Sequence, residues 1–144
     1  MINILKKLAL GSAVLVSVTL FSQEVAITQQ QLPKSINQFV QKNFPGKTLS
    51  KISQEKKLGK TEYEVYLDNG TKLEFNNTTI NEIESNEKIP DALVPKNILA
   101  YVNKNYPQNF ITEWKLSYSK HKIELNDGLE LEFDKNQKFL RIDN

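Results

Sequence analysis

Glutamates at alternate positions are the most chemically promising feature of this sequence. Glu62, Glu64 and Glu74 alternate with apolar residues in one stretch, and Glu124, Glu130 and Glu132 do so in a later one. Paired carboxylates can move a proton to or from a substrate, or hold a cation. Proton transfer, however, needs a pocket that shifts one of the two pKa values. Alternation along a strand places these groups on an open, solvated face instead. Lys72, Lys115 and Arg141 fall within cross-strand reach of them. The expected reading is therefore an ion-paired surface, with Glu64, Glu74, Glu124 and Glu132 as rim residues for a partner.

Aromatic anchors for such a partner are scarce. Tyr66 has wet-face parity, opposite to Tyr63, Val65 and Leu67. Trp114 is the one tryptophan and aligns with Ile52, so it serves either as an anchor or as apolar filling. His121 is the lone histidine and reads as an exposed residue near a hairpin tip, which by itself defines no site. The absence of cysteine excludes disulfides, thiolate metal sites and a cysteine nucleophile. No phosphate-binding glycine loop, serine elbow or metal-ligand spacing occurs. Asp68-Asn69-Gly70 and Asp127-Gly128 lack the later ligands of a calcium loop and read as hairpin turns. No cofactor and no metal are expected.

These side chains must be carried by a repeated unit. Leu32-Pro33-Lys34 matches Val94-Pro95-Lys96, and Asn43-Phe44-Pro45 matches Asn105-Tyr106-Pro107, both at an offset of 62. Val65, Leu67, Gly70, Leu73 and Phe75 match Ile123, Leu125, Gly128, Leu131 and Phe133 at an offset of 58. The change of offset assigns four extra residues to the first copy, near Lys56-Lys57-Leu58-Gly59-Lys60, where it predicts a longer hairpin loop. Each copy opens with a helix. Pro33 and Pro95 suit its first position, Ile36/Val40 and Ile98/Val102 its buried stripe, and Pro45 and Pro107 its end. Strands with period-two alternation follow. The predicted fold is α+β, with two tandem repeats, each an α-helix packed on a four-stranded antiparallel meander.

Residues 1–22 read as a secretory signal peptide: Lys6 and Lys7, then an uncharged run from Leu8 to Phe21, then Ser22. That run is short for a membrane span. The net charge of +2 belongs to this leader, because without Lys6 and Lys7 basic and acidic residues are equal in number. Such a balance disfavours nucleic acid as a partner. The expected organisation is a leader over 1–22, a loose mature N-terminus over 23–31, a unit over 32–85, a linker over 86–92 and a second unit over 93–144.

Three elements together resemble a known family: the helix ending in Asn-(Phe/Tyr)-Pro, the strand–Asp/Asn–Gly–strand hairpin closing in Glu-Phe-(Asp/Asn), and their tandem order behind a leader. They resemble the PepSY-like, or β-lactamase-inhibitor-protein-like, family over about residues 32–144. The resemblance implies secreted or periplasmic proteins with a helix packed on an antiparallel sheet. It implies that relatives of known role bind and inhibit other proteins, notably hydrolases. It carries over no catalytic residue. The function expected is a non-catalytic binding module for another envelope or secreted protein, with inhibition as one form of that binding. The alternative is a small ligand or cation held in the groove between the units. A hydrolase ranks below both.

Overall fold

The computed structural model describes residues 22–143. The leader expected over 1–22 lies outside them, except for Ser22. The strands are β1 (Glu24–Ala26), β2 (Leu49–Lys57), β3 (Lys60–Leu67), β4 (Lys72–Asn76), β5 (Thr79–Glu84), β6 (Ile111–Ser117), β7 (Lys120–Leu125), β8 (Glu130–Asp134) and β9 (Phe139–Asp143). The helices are α1 (Lys34–Asn43), before β2, and α2 (Lys96–Asn105), before β6. All nine strands form a single antiparallel sheet in chain order. The fold is α+β, as expected, and the two halves share one continuous sheet. Ile83 pairs with Trp114, and Glu82 and Glu84 with Lys115 and Glu113, and this joint makes the sheet continuous.

Each helix lays its apolar stripe on one sheet face. Ile36 and Val40 of α1, and Ile98 and Val102 of α2, are buried. The same joint of aromatic rings recurs in both halves. Phe39 meets Phe75 edge-on at 5.3 Å, and Tyr101 meets Phe133 edge-on at 5.3 Å. Such ring pairs add to the stabilisation by area burial. Pro33 and Pro95 sit one residue before the helices, as caps with extended ψ of 136° and 135°. The helices close on bonds from the Phe44 and Tyr106 N–H to the Val40 and Val102 carbonyls, each 2.8 Å, and Pro45 and Pro107 follow.

The two glycine turns are hairpins. In the first, Gly70 has φ +85°, its N–H reaches the Leu67 carbonyl at 3.0 Å, and Leu67 N–H bonds Thr71 O at 2.8 Å. Gly128, also at φ +85°, closes the second in the same way. These are three-residue loops with the left-handed position filled by glycine, where any side chain would be strained.

Three expectations need correction. The four extra residues of the first half do not lengthen a loop. β2 and β3 have 9 and 8 residues against 7 and 6 in β6 and β7, and both hairpins turn on two residues, Leu58-Gly59 and Tyr118-Ser119. Gly59 takes φ +79°, which lets a tight turn close longer strands. Residues 24–31 are not loose. Val25 pairs with Gln54 in β1, and Gln29–Gln31 form a 3-10 turn with a Thr28/Gln31 capping box. Finally, His121 is not an exposed tip residue. It is the second residue of β7, 6% exposed, and shares the apolar parity of Ile123 and Leu125.

Candidate functional site

Among the described residues no helix packs on the sheet face opposite α1 and α2. Antiparallel register sets its side chains in rows running across the strands, about 4.8 Å per strand. One row runs Glu64, Glu74, Glu82, Lys115, Lys122, Glu132, Arg141 from β3 to β9. The next runs Tyr66, Lys72, Glu84, Glu113, Glu124, Glu130, Asp143. Glu82 lies at the joint between the halves, and its side chain is only 4% exposed. It accepts a hydrogen bond from Lys72 at 2.9 Å and ion-pairs with Lys115 at 2.5 Å. Burial works to raise its pKa, but the Lys115 and Lys72 ammonium groups outweigh burial and hold it below the usual carboxylate value.

The other expected residues are scattered over this face. Glu64 faces Lys72 at 4.0 Å, and Glu74 accepts from Asn81 Nδ2 at 3.0 Å. Glu132 binds Lys120 at 3.1 Å and Arg141 Nε at 2.9 Å. Tyr66 is half-buried, with the Lys51 ammonium 5.3 Å from its ring centre. Glu124 stands between Glu113 and Glu130 in the register. Tyr66 and Glu124 are thus four strands apart, roughly 19 Å. The face gathers these residues on one side without converging them on one point. A shallow depression of about 340 Å³ lies over the first half, lined by Ser53, Glu55, Glu62, Tyr63 and Glu64 among others. Among the described residues no three acidic or imidazole side chains converge as metal ligands.

Trp114 departs from the rest. It lies on the helix-covered face, 6% exposed, so it is part of the core and offers no surface to a partner. Its Nε1–H donates to His121 Nδ1 at 3.1 Å. Burial lowers the His121 pKa, opposed by the Lys135 backbone and Asp134.

Sequence reasoning missed Glu82 and Glu113, because both depend on the non-local β5–β6 joint. Glu113 sits directly between Glu84 and Glu124 and has no ion-pair partner among the described residues. Burial, then Glu82, Glu84 and Glu124, raise its pKa. A carboxyl whose folded pKa is raised destabilises the fold above its ordinary value of 4.5, and more so as pH rises. Glu113→Gln should therefore raise the melting temperature at pH 7 by about 2–6 °C, from ~0.2–1 kcal/mol for each like-charged cross-strand pair. The gain should vanish below pH 4.5. Thermal unfolding at the two pH values checks it.

Family comparison decides the lineage. The sequence profile of the family described as "Putative beta-lactamase-inhibitor-like, PepSY-like" matches twice, over residues 19–78 and 61–141. The chain belongs to the PepSY-like family. Two solved structures from Bacteroides vulgatus resemble this PepSY-like chain. One is described as "a putative periplasmic protein from DUF2874 family", with 28% identity, TM-score 0.79, and 84% of this chain and 97% of that one covered. The other, "a putative periplasmic protein of unknown function", has 27% identity, TM-score 0.79, and covers 85% and 100%. A "putative calcium-regulated periplasmic protein" from Bacteroides thetaiotaomicron has 27% identity, TM-score 0.77, and covers 84% and 97%. No curated protein matches the chain. The family is inhibitor-like, and neither it nor these neighbours gives a positive sign of catalysis.

Proposed function

We propose that this PepSY-like protein is an exported, periplasmic, non-catalytic binding module that docks another envelope protein on its open sheet face, with inhibition as one outcome. In this reading, residues 1–22 are a cleaved leader and residues 32–85 and 93–144 are two copies of one unit. One observation carries the proposal: among the described residues, helices cover only one face of the nine-stranded sheet. Its other face is wide, rigid and charged. Most of its charges are tied into cross-strand pairs such as Lys72–Glu82 and Lys122–Glu130, an arrangement suited to complementarity over a broad surface. Tyr66 is the aromatic anchor on that face, rimmed by Glu64, Glu74 and Lys51. The periplasmic neighbours support the compartment.

The test is capture from periplasmic extract by the chain without its leader, compared with Tyr66→Ala. A specific partner should be retained at micromolar concentration. The variant should weaken it by at least tenfold, equivalent to about 1.4 kcal/mol, while still unfolding cooperatively. The absence of any reproducible partner would overturn the proposal. The second reading is cation binding on the same face. It is favoured by the calcium-regulated description of one neighbour. A melting temperature that rises with calcium at constant ionic strength would favour it over docking.

A further inference from the structure

Among the described residues, the sheet ends on a strand edge that the fold itself fills elsewhere. β9 stands in the second half where β5 stands in the first. Ile142 and Arg141 pair with Leu131 and Glu132, just as Ile83 and Glu82 pair with Leu73 and Glu74. The outer edge of β5 receives β6 through three residue pairs, and Ile83 is fully buried. The outer edge of β9 has no strand among the described residues, and Ile142 is 46% exposed. The Ser85 N–H donates to the Thr112 carbonyl across the β5–β6 joint at 2.9 Å. By the two-residue alternation of an antiparallel ladder, the Ile83 backbone faces the same way. Ile142, in the same register, therefore points its N–H and carbonyl off the sheet. An apolar, unpaired edge of this kind is a template for another strand.

The sequence of that edge says which strand fits. Arg141-Ile142-Asp143 reads basic, apolar, acidic. Paired antiparallel with itself about Ile142, each Arg141 lies opposite Asp143 of the other copy and Ile142 lies opposite Ile142. Centring on Arg141 would oppose two arginines, and centring on Asp143 two aspartates. Only the Ile142 register is self-complementary in charge. Arg141 and Asp143 are already on one face, 3.6 Å apart. We propose that the free edge of β9 is a self-association surface, on which a second copy of this chain adds its own β9 antiparallel to form a two-fold dimer with one continuous sheet. The interface is isologous, so it closes at two subunits. It is short, so the dimer is weak and exchanges with monomer.

The test uses the exported, purified protein in sedimentation velocity from about 10 μM to about 1 mM, the range of weak association. The native protein should show a concentration-dependent dimer. Arg141→Asp and Asp143→Arg should each weaken association tenfold or more, because the two-fold axis doubles every like-charge contact. The double variant R141D/D143R should restore it to within about threefold, since acidic–apolar–basic is again self-complementary. Melting temperatures report whether each variant is folded. The chain has no cysteine, so Ile142→Cys should cross-link as a dimer under mild oxidation. Leu58→Cys, at a fully exposed hairpin tip on another part of the sheet, should do so far more slowly. No dimer up to 1 mM, single variants without effect, a double variant that fails to recover, or open-ended oligomers would each overturn the proposal.

Discussion

Ile83→Ala should destabilise the protein by about 2–5 kcal/mol, whereas Ile142→Ala should change stability by less than about 0.5 kcal/mol. The two residues occupy the same register position, opposite Leu73 and Leu131. What differs is the neighbour. Ile83 is 0% exposed, because Trp114 of β6 closes over it at the joint, while Ile142 is 46% exposed at the sheet edge. Truncating Ile83 therefore leaves a cavity at the point where the two apolar layers merge, and surrounding side chains fill such a space only in part. Truncating Ile142 removes surface that water already touches. Urea unfolding of both variants, fitted with a common slope, checks the contrast. If the halves were held together mainly by other contacts, Ile83→Ala would be nearly as mild as Ile142→Ala. The comparison therefore measures how far the β5–β6 joint makes one domain of two similar halves.

Much of the local structure was legible because local physics dictates it. Prolines bracket both helices, the apolar stripe of each helix follows from its spacing, and Gly70 and Gly128 mark turns that need positive φ. Alternation correctly placed Glu64, Glu74, Tyr66, Glu124 and Glu132 on the open face. What remained hidden depends on pairing between distant segments. β1 has only three residues, too few for any period, and is a strand solely because Ser53 to Glu55 offer it a partner. The extra residues of the first half lengthen strands rather than a loop, which a change of offset cannot distinguish. Glu82 is buried only because β6 brings Lys115 across to it. His121 looked like a tip residue because it is polar and flanked by lysines. Counting parity back from Ile123 and Leu125 would have placed it inside.

The Trp114–His121 pair should make the protein sensitive to mild acid. Nδ1 can accept the indole N–H, at 3.1 Å, only while it carries no proton. Burial holds the imidazole pKa below its ordinary value of 6.5. The unfolded chain therefore takes up a proton at a pH where the native protein does not. Stability from this site is complete above pH 6.5 and is lost as pH falls below it toward the lowered native value. His121→Gln keeps an acceptor but cannot charge, so it should flatten that part of the stability profile. Trp114→Phe keeps most of the bulk but leaves a buried nitrogen unpaired, at a cost of about 1–3 kcal/mol. Trp114→Ala adds the cavity, and the expected loss is about 3–5 kcal/mol. Trp114 is the only tryptophan, so its fluorescence reports the transition directly. A native-state emission that titrated near pH 6.5, with unchanged stability, would show an exposed, freely protonated imidazole and contradict the buried pair. Loss of partner binding in Trp114→Ala would then follow the loss of folded protein, whereas loss in Tyr66→Ala would occur with the fold intact. That difference separates a core residue from a docking residue in a chain whose sequence left Trp114 open between the two roles.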